Sequence, residues 1–348
     1  MKYIYIIAFI VVFILTGTGV NAQDPLFSQY YHTPLYSNPA FCGTGKNAWR
    51  FTGALRFEWV RIPSTMRTIS LGAEKQIRDI NAGVGLLLNH NNEGFVKRNS
   101  IHGIYCQGVD LSERSSVYLA AQYGLVWRNV DLTDFLFADQ IDRFGPNPYI
   151  VSGIESTPSG GDFFSDVSGG LVFTYNNIML GAAAQHFYNT DQGMFGDQGR
   201  LLKPRFTAHF NLLLDTDEYD EASLKIKPAV IYNTQGSSKS LLAGTLMTIR
   251  GGWVEIGAWY HNNLSVQKGH RFSVGANFKL GQYKHNYNGD PVKNVRAGVL
   301  IEREIANGLG RRTLGSLEMG GVYEVNTDSD CPKPYKGGDL RKYPWAFQ

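Results

Sequence analysis

The sequence predicts an all-β fold, a transmembrane antiparallel β-barrel of about 14 strands of the outer-membrane kind. Three observations carry this reading. Segments of roughly 9 to 11 residues alternate between apolar and polar side chains, the length that a tilted membrane strand needs. Beyond the first 22 residues no apolar run approaches the roughly 20 residues of a spanning helix, so any insertion must use strands. Aromatic residues recur at segment ends (Trp49, Trp59, Trp127, Tyr175, Tyr188, Tyr260), which suits the girdles of a lipid-facing barrel better than a soluble sandwich.

The elements follow in order. Lys2, the apolar run Ile4 to Leu15, the polar stretch Thr16 to Asn21 and the small residues near Ala22 read as a signal peptide over residues 1–22, cleaved before Gln23. The apolar run is too short for a spanning anchor, and Cys42 lies too far downstream for a lipoprotein. Residues 23–46 form an irregular segment. Pro25, Pro34 and Pro39 lack backbone donors and make it a poor central strand, while Phe27, Tyr30, Tyr31, Tyr36 and Phe41 argue against disorder. A barrel near 14 strands sits between small barrels that fill themselves and large ones that leave a channel. The segment is therefore expected to fold into the periplasmic half of the lumen as a plug, with Tyr30 and Asn38 satisfying inward polar groups. The alternative is a strand leader that packs along the rim.

Residues 47–326 are expected to form the barrel, and 327–348 a periplasmic C-terminal tail. In Arg271 to Leu280 the residues Phe272, Val274, Ala276, Phe278 and Leu280 share one face, opposite Arg271, Ser273, Asn277 and Lys279. Arg205 to Leu214 repeats this, with Phe206, Ala208, Phe210 and Leu212 opposite Thr207, His209 and Asn211. Arg50 to Trp59 and Val117 to Trp127 behave alike. Further strands are read at Met66 to Gln76, Ala82 to His90, Ser100 to Leu111, Val167 to Tyr175, Ile178 to Tyr188, Leu224 to Gln235, Ser240 to Ile249, Trp253 to His261, Val295 to Arg303 and Ser316 to Val325. With a periplasmic N-terminus, the two longest connections, Val130 to Asp162 and Asn189 to Lys203, fall outside, as barrel loops do. The connection Gly281 to Lys293 is long where a short turn is expected.

Little catalytic chemistry is legible. The formal charge of +3 gives no support for nucleic-acid binding. The eight histidines are scattered, and no metalloprotease, nucleophile-elbow or phosphate-loop spacing occurs, so neither enzyme nor cofactor is expected. His209 reads as a lumen residue, and His186 and His261 as interfacial groups at strand ends. The acidic run Asp215, Asp217, Glu218, Asp220 and Glu221 lacks the glycine and spacing of a calcium loop, so no metal site is expected. Three cysteines leave at least one free or paired outside the chain, and in this topology Cys42 with Cys331 is the candidate disulfide. In the longest outer loop Asp131, Asp134, Asp139, Asp142 and Arg143 alternate with Phe135 and Phe137. Loops of this length are often functional, so this is the candidate partner-binding loop.

The window after the leader contains Asp24-Pro25, Phe27-Ser28-Gln29-Tyr30, Pro34-Leu35, Asn38-Pro39-Ala40 and Gly43. It resembles the opening signature of the PorP/SprF family of type IX secretion outer-membrane proteins of Bacteroidota. Looser similarity continues at Gly83-Val84-Gly85-Leu86, Phe135 to Asp142, Gly315 to Met319 and Cys331-Pro332-Lys333. The chain departs from the family pattern at Gly281 to Lys293 and in the tail beyond Cys331. The resemblance implies an outer-membrane component of type IX secretion or gliding motility that anchors secreted cargo at the cell surface. Its implied partners are the cargo's C-terminal sorting domain, other type IX components and outer-membrane lipid. The alternative on the same fold is a passive diffusion channel or small-molecule transporter.

Overall fold

The computed structural model describes residues 24–45, 48–61, 66–130, 140–142, 145–146, 162–187, 202–215, 224–249, 253–264, 269–280, 293–305 and 315–325. The alternating segments become fourteen antiparallel strands. They are β1 Trp49–Glu58, β2 Met66–Ile77, β3 Ala82–Glu93, β4 Val96–Ser112, β5 Ser115–Val130, β6 Asp162–Tyr175 and β7 Ile178–Gln185, followed by β8 Arg205–Leu212, β9 Lys225–Gln235, β10 Ser238–Thr248, β11 Val254–Asn263, β12 Gly269–Lys279, β13 Lys293–Glu304 and β14 Ser316–Val325. Each pairs with the next, and β1 pairs with β14 from Trp49↔Val325 to Glu58↔Ser316, which closes the barrel and leaves no free edge.

The two faces separate as the alternation requires. On β8, Phe206 is 49% and Phe210 39% exposed, whereas Thr207, His209 and Asn211 are buried. On β12, Phe272, Val274 and Phe278 are exposed, and Ser273 and Asn277 buried. Apolar outside and polar inside is the reverse of a soluble sandwich, and it is what a barrel in lipid needs. Outward aromatic pairs such as Trp49 with Phe51, stacked at 6.1 Å, lie near the strand ends.

Strand lengths depart from expectation where local chemistry intervenes. β4 and β5 extend to 17 and 16 residues. β7 stops at Gln185, short of Tyr188, because His186 adopts φ 60° and leaves the ladder. The β8–β9 ladder lapses beyond Asn211↔Ala229, where the next residue of β9 is Pro228, which brings no N–H, and it resumes at Leu214↔Ile226. β12 and β13 pair in register from Arg271↔Glu304 to Lys279↔Arg296. The connection between them, which the sequence left without explanation, lies outside the described residues.

The segment 24–45 is not part of the sheet. It makes three short helical turns, Tyr30–His32, Pro34–Ser37 and Pro39–Phe41. Pro34 and Pro39 each open a turn, where a missing N–H costs nothing. The Asn38 side chain caps the last turn by accepting from the Ala40 N–H at 2.9 Å.

Candidate functional site

The segment 24–45 runs through the lumen between the two ends of the barrel. The longest connections, 131–161 and 186–204, leave the sheet at the end marked by Glu58, which identifies that end as outer and the Trp49 end as periplasmic.

At the periplasmic end the segment meets the wall backbone to backbone. Gly43 has φ 73°, and a Cβ on Gly83 would stand 2.4 Å from the Cys42 carbonyl oxygen, so both positions need glycine. The Gly43 N–H donates to Glu74 Oε2 at 3.0 Å. Arg50 pairs with Glu74 and donates to the Phe41 carbonyl at 2.9 Å. Cys42 and Cys106 are buried free thiols, and Cys106 Sγ donates to the Ala40 carbonyl at 3.4 Å. Burial, reinforced by Glu74, pushes the Cys42 thiol far up, which keeps it protonated. Cys331, proposed from sequence as the Cys42 partner, lies outside the described residues.

At mid-height Asn38 Nδ2 reaches the carbonyls of Leu171 and Ala182 at 3.1 and 3.2 Å and His209 Nε2 at 3.0 Å. Gly170 makes room, since a Cβ there would lie 2.0 Å from Asn38 Oδ1. Tyr30 donates its hydroxyl to Asn211 Oδ1 at 2.8 Å and packs edge-on against the buried Trp259 at 5.5 Å. His32 is wedged against Gly298 and Gly320.

Toward the outer end the contacts become ionic. The N–H groups of Ser28 and Gln29 donate to the two carboxylate oxygens of Glu318 at 2.8 and 2.9 Å, and the Ser28 hydroxyl donates to Glu302 at 2.9 Å. Arg56 bridges the same two carboxylates, at 2.7 Å to Glu302 and in close contact with Glu318. Phe27 stands edge-on to Tyr36 at 5.3 Å, and the Tyr36 hydroxyl donates to the Pro25 carbonyl at 2.6 Å. Asp24 is the first described residue of the segment. Its N–H donates to Gln235 Oε1 at 2.9 Å, and its carboxylate meets Arg98 at 2.9 Å, His186 at 2.8 Å, Gln235 Nε2 at 3.0 Å and Arg205 at 3.9 Å. His186 also binds Asp166 at 2.9 Å. Burial opposes the charges on both partners. It is outweighed at Asp24 by His186, Arg205 and Arg98, which hold the carboxyl well below its usual range. At His186 the carboxylates of Asp24 and Asp166 outweigh it and hold the imidazole up at about 9.

Two sequence expectations are corrected here. The segment does not stay in the periplasmic half of the lumen, because the charge complement of Asp24 sits at the outer end. His186 is no interfacial group, because its left-handed backbone turns the ring inward onto two carboxylates. The lumen charges Arg98, Asp166, Arg205, Glu302 and Glu318 were not singled out from sequence, although each occupies an inward strand position where a charge is otherwise unexpected. Of the candidate partner loop, Asp131, Asp134, Phe135, Phe137, Asp139 and Arg143 lie outside the described residues. Asp142 belongs to a two-residue ladder, Ile141–Asp142 with Gly145–Pro146.

Residues 19–326 match the family described as type IX secretion system membrane protein PorP/SprF. The chain belongs to the PorP/SprF family. This PorP/SprF barrel is accordingly an outer-membrane protein of the type IX secretion system, a membership that implies interaction with the secretion machinery. No curated protein matches the chain. Solved structures similar to it include the CymD monoaromatic hydrocarbon channel, with 10% identity, 88% of this chain and 93% of that one covered, and a TM-score of 0.48. The P. putida toluene transporter TodX has 10% identity, coverage of 82% and 92%, and a TM-score of 0.45. Omp33 of Acinetobacter baumannii has 7% identity, coverage of 80% and 98%, and a TM-score of 0.42.

Proposed function

We propose that this PorP/SprF protein is a non-enzymatic receptor. Its outer loops bind the C-terminal domain of a secreted cargo protein and hold the cargo at the cell surface, beside a separate translocon. The periplasmic face contacts other components of the machinery. The observation that supports recognition over conduction is the occupied lumen: residues 24–45 are bonded to the wall from Glu74 at one end to Arg98 and His186 at the other. A diffusion channel needs a continuous open path, and a barrel of this size has no room for a folded protein beside such a segment. Export through a cleaved signal peptide fits the same reading.

Purification of the tagged protein from its native outer membrane in mild detergent, with mass spectrometry of what accompanies it, tests the proposal. A large secreted protein recovered in near-stoichiometric amount is expected. A solitary barrel that conducts ions would overturn the receptor reading in favour of a channel.

A further inference from the structure

We infer that the outward face of β2 to β5 binds the phosphate of a lipid in the outer leaflet of the membrane. Four outward side chains lie in one cross-strand row at the outer end of these strands: Arg67 on β2, Asn92 on β3, Lys97 on β4 and Asn129 on β5. Arg67 is exposed, and its cross-strand neighbours are Phe57 and Asn92, neither of them acidic. Adjacent strands stand about 4.8 Å apart, so Arg67 and Lys97 flank Asn92 with their Cα atoms roughly 10 Å apart. Two side chains of that length, with apolar stems and charged heads, can close on one phosphate between them.

Position and charge select the ligand. Toward the membrane the same strands present the exposed Leu71, Leu88, Ile101 and Tyr123. Trp127 comes next on β5, opposite Asn99, and the row of Arg67 and Lys97 stands one residue pair farther out, where headgroups follow the hydrocarbon. Carboxylates near this end take the other register. Glu58 and Glu302 meet Arg56 in the lumen, and Glu304 stands opposite the lumen-facing Arg271. The outward row thus offers a guanidinium, an ammonium and two amides, all able to donate to an anion, and a phosphate supplies several acceptor oxygens to such a set. A zwitterionic headgroup would bring its own cation against Arg67 and Lys97. An acidic protein segment would have to displace lipid from the apolar surface just below. A phosphorylated lipid meets both conditions, with its acyl chains on Leu71, Leu88, Ile101 and Tyr123 and its phosphate on the row.

Native mass spectrometry of the full-length protein in detergent tests this. Wild type, the double variant Arg67→Gln with Lys97→Gln, and Lys75→Gln would each be titrated with lipid A bearing one phosphate and with the same lipid stripped of it. Lys75 faces outward on β2 at the periplasmic end, over Trp49. Wild type should bind the phosphorylated lipid in preference to the stripped one. A basic side chain at a charged membrane surface is worth about fivefold, so the double variant should lose about 25-fold in affinity and Lys75→Gln should bind as wild type does. Arg67→Lys in the double variant should restore part of the loss. Equal binding of the two lipids, or wild-type affinity in a double variant whose circular dichroism shows an intact barrel, would overturn the inference. So would full competition by inorganic phosphate at equal concentration, which would assign the row to a free anion. None of these readouts involves cargo, so the outcome is separate from that of the receptor proposal.

Discussion

Asp24 and His186, 162 positions apart in the chain, meet at 2.8 Å in the outer half of the lumen. The contact fastens the N-terminal segment to the point where β7 ends, and it joins two groups whose ionisation is opposite in sign.

That pairing makes the attachment depend on pH. The His186 imidazole is raised in the folded protein, so its contribution is complete below its unfolded value of roughly 6.5. The contribution declines as pH rises from there and is gone above about 9. The Asp24 carboxyl is depressed, so its contribution is present above roughly 4 and is lost as pH falls below that. Hydrogen exchange of the Asp24 to Gln29 amides should be slowest between about pH 4 and 6.5 after correction for intrinsic rates. His186→Gln should remove the alkaline limb. An unchanged alkaline limb in that variant would refute the contact's role.

Arg56 is the charge that Glu302 and Glu318 share, and it is almost fully buried. Arg56→Met should cost about 3–5 kcal/mol, the usual result of leaving a buried partner charge uncompensated. Glu302 retains Arg271 at 3.0 Å, so adding Glu318→Gln should restore much of the loss. Urea unfolding in lipid vesicles would measure both. A loss under about 1 kcal/mol for the single variant would mean that the cluster carries little of the stability.

Gly83, like Gly43 opposite it, leaves no room for a side chain at the periplasmic rim, because the atom in the way is the Cys42 carbonyl oxygen at 2.4 Å. Gly83→Val should lift the segment and uncover Cys42 and Cys106, both 1% exposed in the native fold. In a Cys331→Ser background maleimide labelling should accelerate roughly tenfold, the change expected when local opening becomes easier by ~1.4 kcal/mol. Labelling at the native rate would mean that the close approach of Gly43 and Gly83 does not govern seating.

Most of the barrel was legible because its determinants are local. Period-two alternation in Arg205 to Leu214 and Arg271 to Leu280 assigned the lipid and lumen faces that the structure shows, and segment length separated membrane strands from soluble ones. What escaped was non-local or conformational. The alternation carries His186 outward after Gln185, and only a left-handed backbone, which no neighbouring glycine announces, turns it inward. The outer anchor of Asp24 draws on Arg98 of β4, His186 just beyond β7, Arg205 of β8 and Gln235 of β9, residues that only the curvature of the sheet brings together. The opening signature could be read as a family mark, but its path through the lumen follows from those distant partners.

On the proposed reading residues 24–45 close the lumen, so the full-length wild-type protein recorded in planar bilayers should insert without open-channel steps near neutral pH. Sustained, ohmic, porin-like conductance from the correctly folded protein would contradict it.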